Sequence, residues 1–329
     1  MPTDRPAVLL VTHSRDVFTI DRVAAALAEL GARPVRFDTD RFPGEVGLSM
    51  IDRGDGPRHL FRDGDVTVSD AAVTAVWTRS IWSPAILAEL PAEHRQSCGV
   101  QSRELLKGFL EGLGAARWIS RPESLWDAQN KVRQARLAHA AGLTVPPTLI
   151  TNDEAEVRRF YDEMDGQIVT KLLAHLSQSM DRSGPFMPTS DVGPEDLEHL
   201  DSLRYAPMIF QRKVMKEYEL RIQYVAGRLF AGAVDARRTA AGGTDWRLAE
   251  VEEASWTTQE VPPTVAAGLD RLMDALGLAA GAVDMIVTPE GEHVFLEVNP
   301  LGEWGMLERD LDLPISQAIA EALTFGGEK

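Results

Sequence analysis

The most constraining feature of the sequence is a strand–turn–strand pattern near its C-terminus, at residues 283–299. Glu290-Gly291 at its centre is a natural two-residue hairpin turn. If Pro289 pairs with Glu292, the register of the whole segment follows, because side chains alternate between the two faces of a strand. The segment is therefore predicted to be an antiparallel β-hairpin with a defined pairing.

This register places two carboxylates opposite each other. Asp284 lies opposite Glu297 with Cβ atoms about 5 Å apart, and Asn299 points to the same face. Like charges at opposed positions destabilise a sheet unless a cation neutralises them, and three hard oxygen ligands suit Mg²⁺ held with substrate phosphates. These three residues are therefore predicted metal ligands, and the alternative is an edge hairpin whose acids face water. A core on the other face is indicated by Val283, Met285, Phe295 and Val298.

Length and cysteine content limit the class of protein. The 329 residues allow two or three compact units, and no apolar run approaches the roughly 18 to 20 residues of a membrane span. The first residues lack the basic region and cleavage site of a signal peptide. The single cysteine, Cys98, excludes an intrachain disulfide. A soluble, cytoplasmic, multi-domain protein is predicted.

The charge distribution argues against nucleic acid and membrane partners. The net charge is −16, from 34 basic and 50 acidic residues, and it repels nucleic acid and anionic membranes. Between residues 204 and 247, however, nine Lys or Arg face four Asp or Glu, a local excess of five positive charges. This segment is predicted to bind an anion, and the alternative is a solvated charged hairpin without a ligand.

The pattern along the chain predicts three units. Residues 1–118 alternate between strand and helix and predict a small α/β domain. Residues 119–207 form a second unit, which contains a polar segment, 177–190, that is predicted to be mobile. Residues 208–329 are strand-rich. The predicted strands are 7–11, 34–37, 72–78, 167–172 and 208–214, the hairpins 59–68, 219–233 and 282–299, and the helices 17–30, 93–113, 124–141, 153–164, 265–276 and 314–323.

From Ser120 onward the chain resembles the ATP-grasp superfamily, whose last sheet carries an acidic residue and then Glu-x-Asn. Glu297-Val-Asn299-Pro300 matches that signature, preceded by Asp284. The resemblance implies an α/β (α+β) ATP-grasp fold with an N-terminal pre-ATP-grasp domain, a central lid domain and a C-terminal antiparallel-sheet domain. It also implies ATP as a cofactor and two Mg²⁺ ions bound by Asp284, Glu297 and Asn299.

Further matches to the superfamily imply the nucleotide site. Lys131, which follows Asn130, resembles the lysine that reaches the ATP phosphates, and Lys171 resembles the second nucleotide lysine, although lone lysines are usually solvated surface residues. The strand whose backbone binds adenine matches Gln211, Arg212, Lys213 and Val214, and Glu219 is placed to meet the ribose. Two departures are Arg212, where many relatives have an acid, and residues 177–184, where many have a glycine-rich lid.

The closer resemblance is to the graspetide synthetases, which cyclise ribosomal peptides of the microviridin and plesiocin type. It implies a ligase that activates Glu or Asp side chains as acyl phosphates and joins them to Thr or Ser hydroxyls or Lys amines. The partner would be a precursor peptide with a leader and a Thr/Glu-rich core, and the enzyme a homodimer. The matching stretches are Val76-Trp77-Thr-Arg79, residues 142–151, Glu219-Leu-Arg221-Ile, and Asp235 followed by Asp245-Trp246-Arg247.

In such an enzyme, fixed cations must bring an anionic carboxylate to ATP. Arg221 is predicted to contact the transferred phosphoryl group, and Arg237 or Arg247 to hold the substrate carboxylate. The alternative is a buried structural Arg221 paired with Glu219 or Asp235. The candidate general bases are Asp235 and Glu303, and the leader is expected near residues 194–204.

Two competing functions remain open at this stage. One is another ATP-grasp carboxylate–amine ligase, which adds an amino acid to a protein or small molecule. The other is a regulatory ATP-binding module without turnover. The metal trio and the two nucleotide lysines argue against the second.

Overall fold

The computed structural model describes residues 6–174, 188–234 and 256–325. The N-terminal part is an α/β unit around a parallel sheet in the order β2-β1-β6-β7, with an antiparallel sheet β3-β4-β5 beside it. All six residues of β1 are buried, as expected for a parallel strand covered on both faces. Its elements are β1 (Ala7–Thr12), α1 (Thr19–Glu29), β2 (Pro34–Asp38), β3 (Val46–Asp52), β4 (Pro57–Asp63), β5 (Val66–Ser69), β6 (Val73–Thr78), α2 (Ala92–Gly112) and β7 (Arg117–Ile119).

The alternation of strand and helix predicted for the first part of the chain is confirmed, and so is the hairpin at Asp63-Gly64. Strand β3 was not predicted.

The central part carries an antiparallel sheet in the order β10-β9-β11-β8. Its elements are α3 (Pro122–Ala128), α4 (Lys131–Ala140), β8 (Thr148–Thr151), α5 (Glu154–Glu163), β9 (Ile168–Lys171), β10 (Ser190–Asp191) and β11 (Met208–Arg212).

The single helix predicted over 124–141 is wrong, because the chain forms two helices, α3 and α4, that are separated at Gln129 and Asn130. The side-chain oxygen of Asn130 accepts a hydrogen bond from the backbone N–H of Arg133 at 3.0 Å. Asparagine is a favoured N-cap residue because its side chain satisfies a free N–H of the first turn. The cap therefore begins a new helix and makes Lys131 its first residue.

The C-terminal part is a five-stranded antiparallel sheet in the order β14-β13-β12-β15-β16. The predicted hairpin that turns at Gly227 is confirmed, and Ala226 and Gly227 both have positive φ, of 45° and 88°. Helix α7 was not predicted. The elements are β12 (Tyr218–Val225), β13 (Arg228–Val234), β14 (Trp256–Gln259), α6 (Pro263–Leu276), β15 (Ala280–Val287), β16 (His293–Asn299), α7 (Gly305–Leu311) and α8 (Ile315–Thr324).

The hairpin of β15 and β16 has a different turn from the predicted one. Thr288, not Pro289, bonds with Glu292, so the turn has three residues and Gly291 takes the positive φ of 83°. A β-bulge then leaves Leu296 without a partner on β15. The extra turn residue and the bulge compensate, and the predicted pairing of Asp284 with Glu297 is confirmed although the predicted turn is wrong.

Two hydrophobic clusters cover the faces of the C-terminal sheet. One joins alternate residues of β12 and β15, together with Phe295 and Val298 of β16, to α6, and it includes the predicted apolar residues Val283 and Met285. The other joins the N-terminal sheet and α1 to α8 and the end of β12, so the first and last parts of the chain share a core. No helix in the described ranges is long and apolar enough to cross a membrane.

Candidate active site

Three polar side chains converge on the face of the C-terminal sheet that is opposite α6. Asp284 on β15 is paired with Glu297 on β16. The side-chain amide of Asn299 donates to Asp284 Oδ2 at 3.2 Å and to Glu297 Oε1 at 3.0 Å. The carboxylate side chains are only 14% and 11% exposed. The structure therefore brings together the three predicted metal ligands.

Lys131 lies against this trio. Its Nζ is 2.8 Å from Glu297 Oε2. Because Lys131 is the first residue of α4, its position depends on the helix break that Asn130 caps. The predicted phosphate lysine thus stands beside the carboxylates that are predicted to hold the metal.

Arg221 contacts the other carboxylate. Its Nη1 donates to both oxygens of Asp284, at 2.7 and 2.9 Å, and its Nη2 donates to the backbone carbonyl of Glu303 at 2.8 Å. The side chain is 5% exposed, and its strand partner is Asp284. Of the two partners in the alternative interpretation of Arg221, Glu219 forms an ion pair with Lys216 at 2.6 Å and Asp235 lies outside the described residues.

The charges around the acidic pair balance within the protein. Lys131 and Arg221 supply two positive charges to Asp284 and Glu297, so the opposed carboxylates are neutralised by neighbouring side chains. Among the described residues, no group of three His, Cys, Asp or Glu side chains is arranged around one metal position. Asp284, Glu297 and Asn299 offer two carboxylates and a side-chain amide, which are hard oxygen donors of the kind that Mg²⁺ completes with phosphate and water.

Lys171 and Gln211 meet on the central sheet. Lys171 Nζ donates to Gln211 Oε1 at 3.2 Å, and Gln211 Nε2 donates to Thr148 Oγ1 at 2.8 Å. Strands β9 and β11 are adjacent, which explains how residues forty apart in sequence come together. Two of the predicted nucleotide residues thus form one polar group.

The other predicted nucleotide residues are placed separately. Arg212 is exposed and ends β11, and the half-buried Val214 lies beyond the strand. Lys213 Nζ is 2.6 Å from Asp191 Oδ1. Glu219 is buried at the start of β12 and ion-paired with Lys216. The chain from Gln211 to Glu219 therefore runs from the central sheet to the sheet that carries the acidic pair.

An arginine from the N-terminal unit also reaches the site. Arg79 follows β6, is buried, and forms an ion pair with Glu303. Its Nη1 donates to the carbonyl of Leu301 at 2.9 Å. Arg221 and Arg79 together hold the loop that follows β16, from two different units of the chain.

A buried polar cluster lies behind Arg79, at the carboxyl ends of the parallel strands. Asp16 accepts hydrogen bonds from Thr12 at 2.8 Å and Thr19 at 2.9 Å, and its Oδ2 is 3.8 Å from Arg79 Nε. His13 stacks on Trp82 with 3.7 Å between ring centroids. Burial lowers the pKa of His13 and so favours the uncharged ring in this cluster.

Comparison with known proteins gives a consistent family. A family model described as the MvdD pre-ATP grasp domain matches residues 7–125. The macrocyclase MdnB from Microcystis aeruginosa MRC is 44% identical, over 98% of this chain and 100% of that chain, with a TM-score of 0.84. The chain belongs to the graspetide-type ATP-grasp macrocyclases. It is therefore an ATP-dependent ligase.

Two further structures of such ligases are similar along nearly the whole chain. The macrocyclase MdnC from the same organism, bound with the precursor peptide MdnA, is 33% identical, with 98% and 100% of the chains covered and a TM-score of 0.86. A RiPP-associated ATP-grasp ligase from Chryseobacterium gregarium, in complex with ADP and a leader and core peptide, is 29% identical, with 98% of each chain covered and a TM-score of 0.90. None of the curated proteins compared matches the chain. The predicted ATP-grasp fold is confirmed.

The macrocyclase site contains residues for which sequence reasoning gave no role. Arg79 belonged to a stretch that matched the family, and its position directly after a buried strand was the available signal. Gly302 carried no signal: a Cβ there would lie 2.5 Å from Ala282 Cβ and 2.7 Å from Arg221 Nη2. The structure therefore requires a glycine where the loop passes Arg221.

Several predicted residues cannot be placed in this geometry. The segment 177–184 and the predicted substrate residues Asp235, Arg237 and Arg247 lie outside the described residues. The other candidate base, Glu303, is described, and its side chain is 42% exposed beside Arg79.

Proposed function

We propose that this chain is an ATP-dependent macrocyclase of a ribosomal precursor peptide. It activates Glu or Asp side chains as acyl phosphates and joins them to Thr or Ser hydroxyls, or to Lys amines. Membership of the macrocyclase family supports the peptide substrate. The observation that carries the proposal is the convergence of Asp284, Glu297 and Asn299 between Lys131 and Arg221.

Asp284, Glu297 and Asn299 would hold Mg²⁺, two ions by the family resemblance. When bound, Mg²⁺ neutralises phosphate charge and so stabilises the developing negative charge of phosphoryl transfer. The donor set fits this role because it is made of hard oxygens and leaves room in the coordination shell for ATP phosphates. Lys131 and Arg221, which contact these carboxylates, are proposed to contact the phosphates as well.

The first step converts a weak electrophile into a reactive one. An oxygen of the peptide carboxylate attacks the γ-phosphorus of ATP, the bond to the bridging β–γ oxygen breaks, and ADP leaves with an acyl phosphate formed. Arg221 is proposed to contact the transferred phosphoryl group. Arg237 or Arg247 is proposed to hold the peptide carboxylate, because two anions approach each other only when fixed cations offset their repulsion.

The second step closes the ring. The hydroxyl oxygen or amine nitrogen of the same peptide attacks the acyl carbon, the carbon–oxygen bond to phosphate breaks, and phosphate leaves. The nucleophile loses its proton to a base, for which Asp235 and Glu303 are proposed. The ion pair with Arg79 holds the Glu303 carboxylate in the loop that follows β16. This position supports the inclusion of Glu303 among the proposed active-site residues.

The nucleotide and peptide positions are proposed from the family resemblance. Lys131 and Lys171 contact phosphate, the backbone of residues 211–214 contacts adenine, and Glu219 contacts the ribose. The leader is proposed to bind near residues 194–204, most of which form the 3-10 helical segment Asp196–Arg204. A Thr/Glu-rich core, homodimer formation and a cytoplasmic location, where ATP is supplied, complete the proposal.

Isosteric variants test the acidic pair. Asp284→Asn and Glu297→Gln keep side-chain shape and remove one charge each. We expect both to abolish Mg²⁺-dependent ADP release and ring formation in a co-expressed candidate precursor peptide. The matched control is Glu321→Gln, a carboxylate paired with Arg228 at 2.7 Å on the surface, and it should keep wild-type activity. Full turnover in both site variants would contradict the proposal.

Mass spectrometry of the peptide distinguishes the two ligase functions. Each ring lowers the peptide mass by one water, whereas ligation of an added amino acid raises the mass. Esters are cleaved by mild base and amides are not, so the same sample identifies the nucleophile. A mass gain equal to one or more amino-acid residues would favour the carboxylate–amine ligase.

A further inference from the structure

Strand β16, which carries Glu297 and Asn299, is an edge strand of its sheet. One side of an edge strand leaves backbone N–H and C=O groups without strand partners. Here two contacts from outside the sheet complete that side. The N–H of Phe295 donates to the carbonyl of Thr144 at 2.8 Å, and Gln134 bonds to Val298.

Gln134 replaces a neighbouring strand at Val298. Its Oε1 accepts from the N–H of Val298 at 2.9 Å, and its Nε2 donates to the carbonyl of Val298 at 2.7 Å. The same Nε2 donates to the carbonyl of Ala128, the last residue of α3, at 2.6 Å. The residue is 1% exposed, so every polar atom of its side chain is used in a buried place. These hydrogen bonds of Gln134 therefore hold the backbone of β16 and not one of its side chains.

The position of this contact is what connects it to the metal site. Val298 lies between Glu297 and Asn299, whose side chains point to the opposite face from its own. Lys131 lies three residues before Gln134, on the same side of α4, and contacts Glu297. Helix α4 therefore holds β16 at two consecutive residues, one through its carboxylate and one through its backbone.

The bulge explains why such a contact is needed. Leu296 lacks a partner on β15, so regular pairing is interrupted directly before Glu297. Beyond the bulge, only residues 297–299 of β16 pair with β15. This short segment alone would determine where the side chains of Glu297 and Asn299 point. The bonds of Gln134 fix this end against α4.

We propose that Gln134 is a positioning residue of the metal site. It sets the backbone between Glu297 and Asn299, so that both side chains face Asp284, and it ties this backbone to the helix that carries Lys131. The inference rests on the proposed function, because it assigns these residues to Mg²⁺. Groups that orient metal ligands without touching the metal typically change metal affinity about 10- to 100-fold when replaced.

The test measures ADP binding by the full chain in titration calorimetry at a series of Mg²⁺ concentrations. Gln134→Met removes all three bonds at nearly constant volume. Gln134→Glu keeps the acceptor for Val298 N–H but faces two carbonyls without a donor. We expect each variant to raise the Mg²⁺ concentration for half-maximal ADP binding about tenfold or more. If the methionine variant does not fold, the glutamate variant decides.

Arg271→Met is the matched control. Arg271 on α6 donates to the carbonyl of Ala141 from Nε at 3.1 Å and from Nη2 at 2.7 Å, and so anchors the other end of α4. It should lower the thermal midpoint without shifting the Mg²⁺ dependence. An equal shift in this control, or no shift in either Gln134 variant, would overturn the inference.

Asp284→Asn in the same assay separates the two proposals. If Asp284→Asn raises the Mg²⁺ concentration for half-maximal ADP binding and the Gln134 variants do not, the metal assignment is supported and only the positioning role is lost. If Asp284→Asn also leaves the dependence unchanged, the metal assignment fails, and the role of Gln134 fails with it.

Discussion

Arg221 connects one carboxylate of the acidic pair to the loop that follows β16. It binds both oxygens of Asp284 through one nitrogen and the carbonyl of Glu303 through the other. A lysine in its place has one charged nitrogen and no planar fork, and therefore cannot keep both contacts. The role of this residue thus depends on its shape as much as on its charge.

If Arg221 contacts the transferred phosphoryl group as proposed, Arg221→Lys is expected to lower kcat for ADP release about 100-fold, because one directed donor is lost. The matched control is Arg228→Lys, which changes an exposed arginine of the neighbouring strand and should leave kcat unchanged. A stopped assay for ADP with saturating Mg²⁺ measures both. Wild-type kcat in Arg221→Lys would remove the phosphoryl assignment.

Gly302→Ala tests the close approach beside Arg221. The new methyl group would have to displace Arg221 or Ala282, and we expect destabilisation by about 1–3 kcal/mol together with a fall in kcat. Gly108→Ala is the control, because a Cβ at this helical position meets nothing within 4 Å and should slightly stabilise α2. Urea unfolding and ADP release give the two quantities. Unchanged kcat in Gly302→Ala would show that Arg221 tolerates the shift.

At the scale of elements, the break between α3 and α4 matters most for the site. It turns a continuous helical pattern into two helices and places Lys131 and Gln134 on the first turn of α4. The sequence offers no proline or glycine at this point. The break depends on a side-chain cap, which a periodicity pattern does not reveal.

Asn130→Ala is expected to lower the free energy of unfolding by about 1 kcal/mol through loss of the cap. Because the first turn of α4 loosens, the affinity for ATP should fall as well. Asp153→Ala removes an equivalent cap from α5, where Asp153 Oδ1 accepts from Ala155 N–H at 2.8 Å. It should cost similar stability and leave ATP binding unchanged. Equal ATP affinities in the two variants would show that the Asn130 cap does not affect ATP binding.

The elements that could be predicted are those with strong local patterns, such as β1, α1, α6 and the hairpin of β12 and β13. The pairing of Asp284 with Glu297 was predicted from strand alternation, but it holds only because the bulge at Leu296 offsets the third residue of the turn. Arg79, Arg221 and Gln134 reach the site over long sequence separations, and their partners follow from the order of strands and from helix packing. Phe295 and Val298 share the core face although they are three residues apart, which only the bulge permits.

At the scale of the whole molecule, the first and last parts of the chain are one hydrophobic unit. Buried residues of β1, α1 and β6 lie in the same cluster as buried residues of α8 and the end of β12. Arg79 adds a polar link at the same junction. The predicted boundary at residue 118 therefore crosses a shared core.

Separate expression of residues 1–118 and 119–329 tests this view. Each fragment would expose the apolar side of the shared core, including Ile20 and Trp77 in one and Ile315 and Ile319 in the other. We expect neither fragment to show a cooperative thermal transition by circular dichroism, whereas the full chain shows one. A cooperative transition in the isolated N-terminal fragment would establish an independent domain.

The hairpin of β15 and β16 also has a practical consequence. Its exposed tip, residues 289–292, is separated from the acidic pair by the unpaired Leu296. The bulge at Leu296 offsets the third residue of the turn, so Asp284 faces Glu297. The tip is thus a suitable attachment point for a fluorescent or spin label, which would report on the proposed metal site from the same two strands without altering Asp284, Glu297 or Asn299.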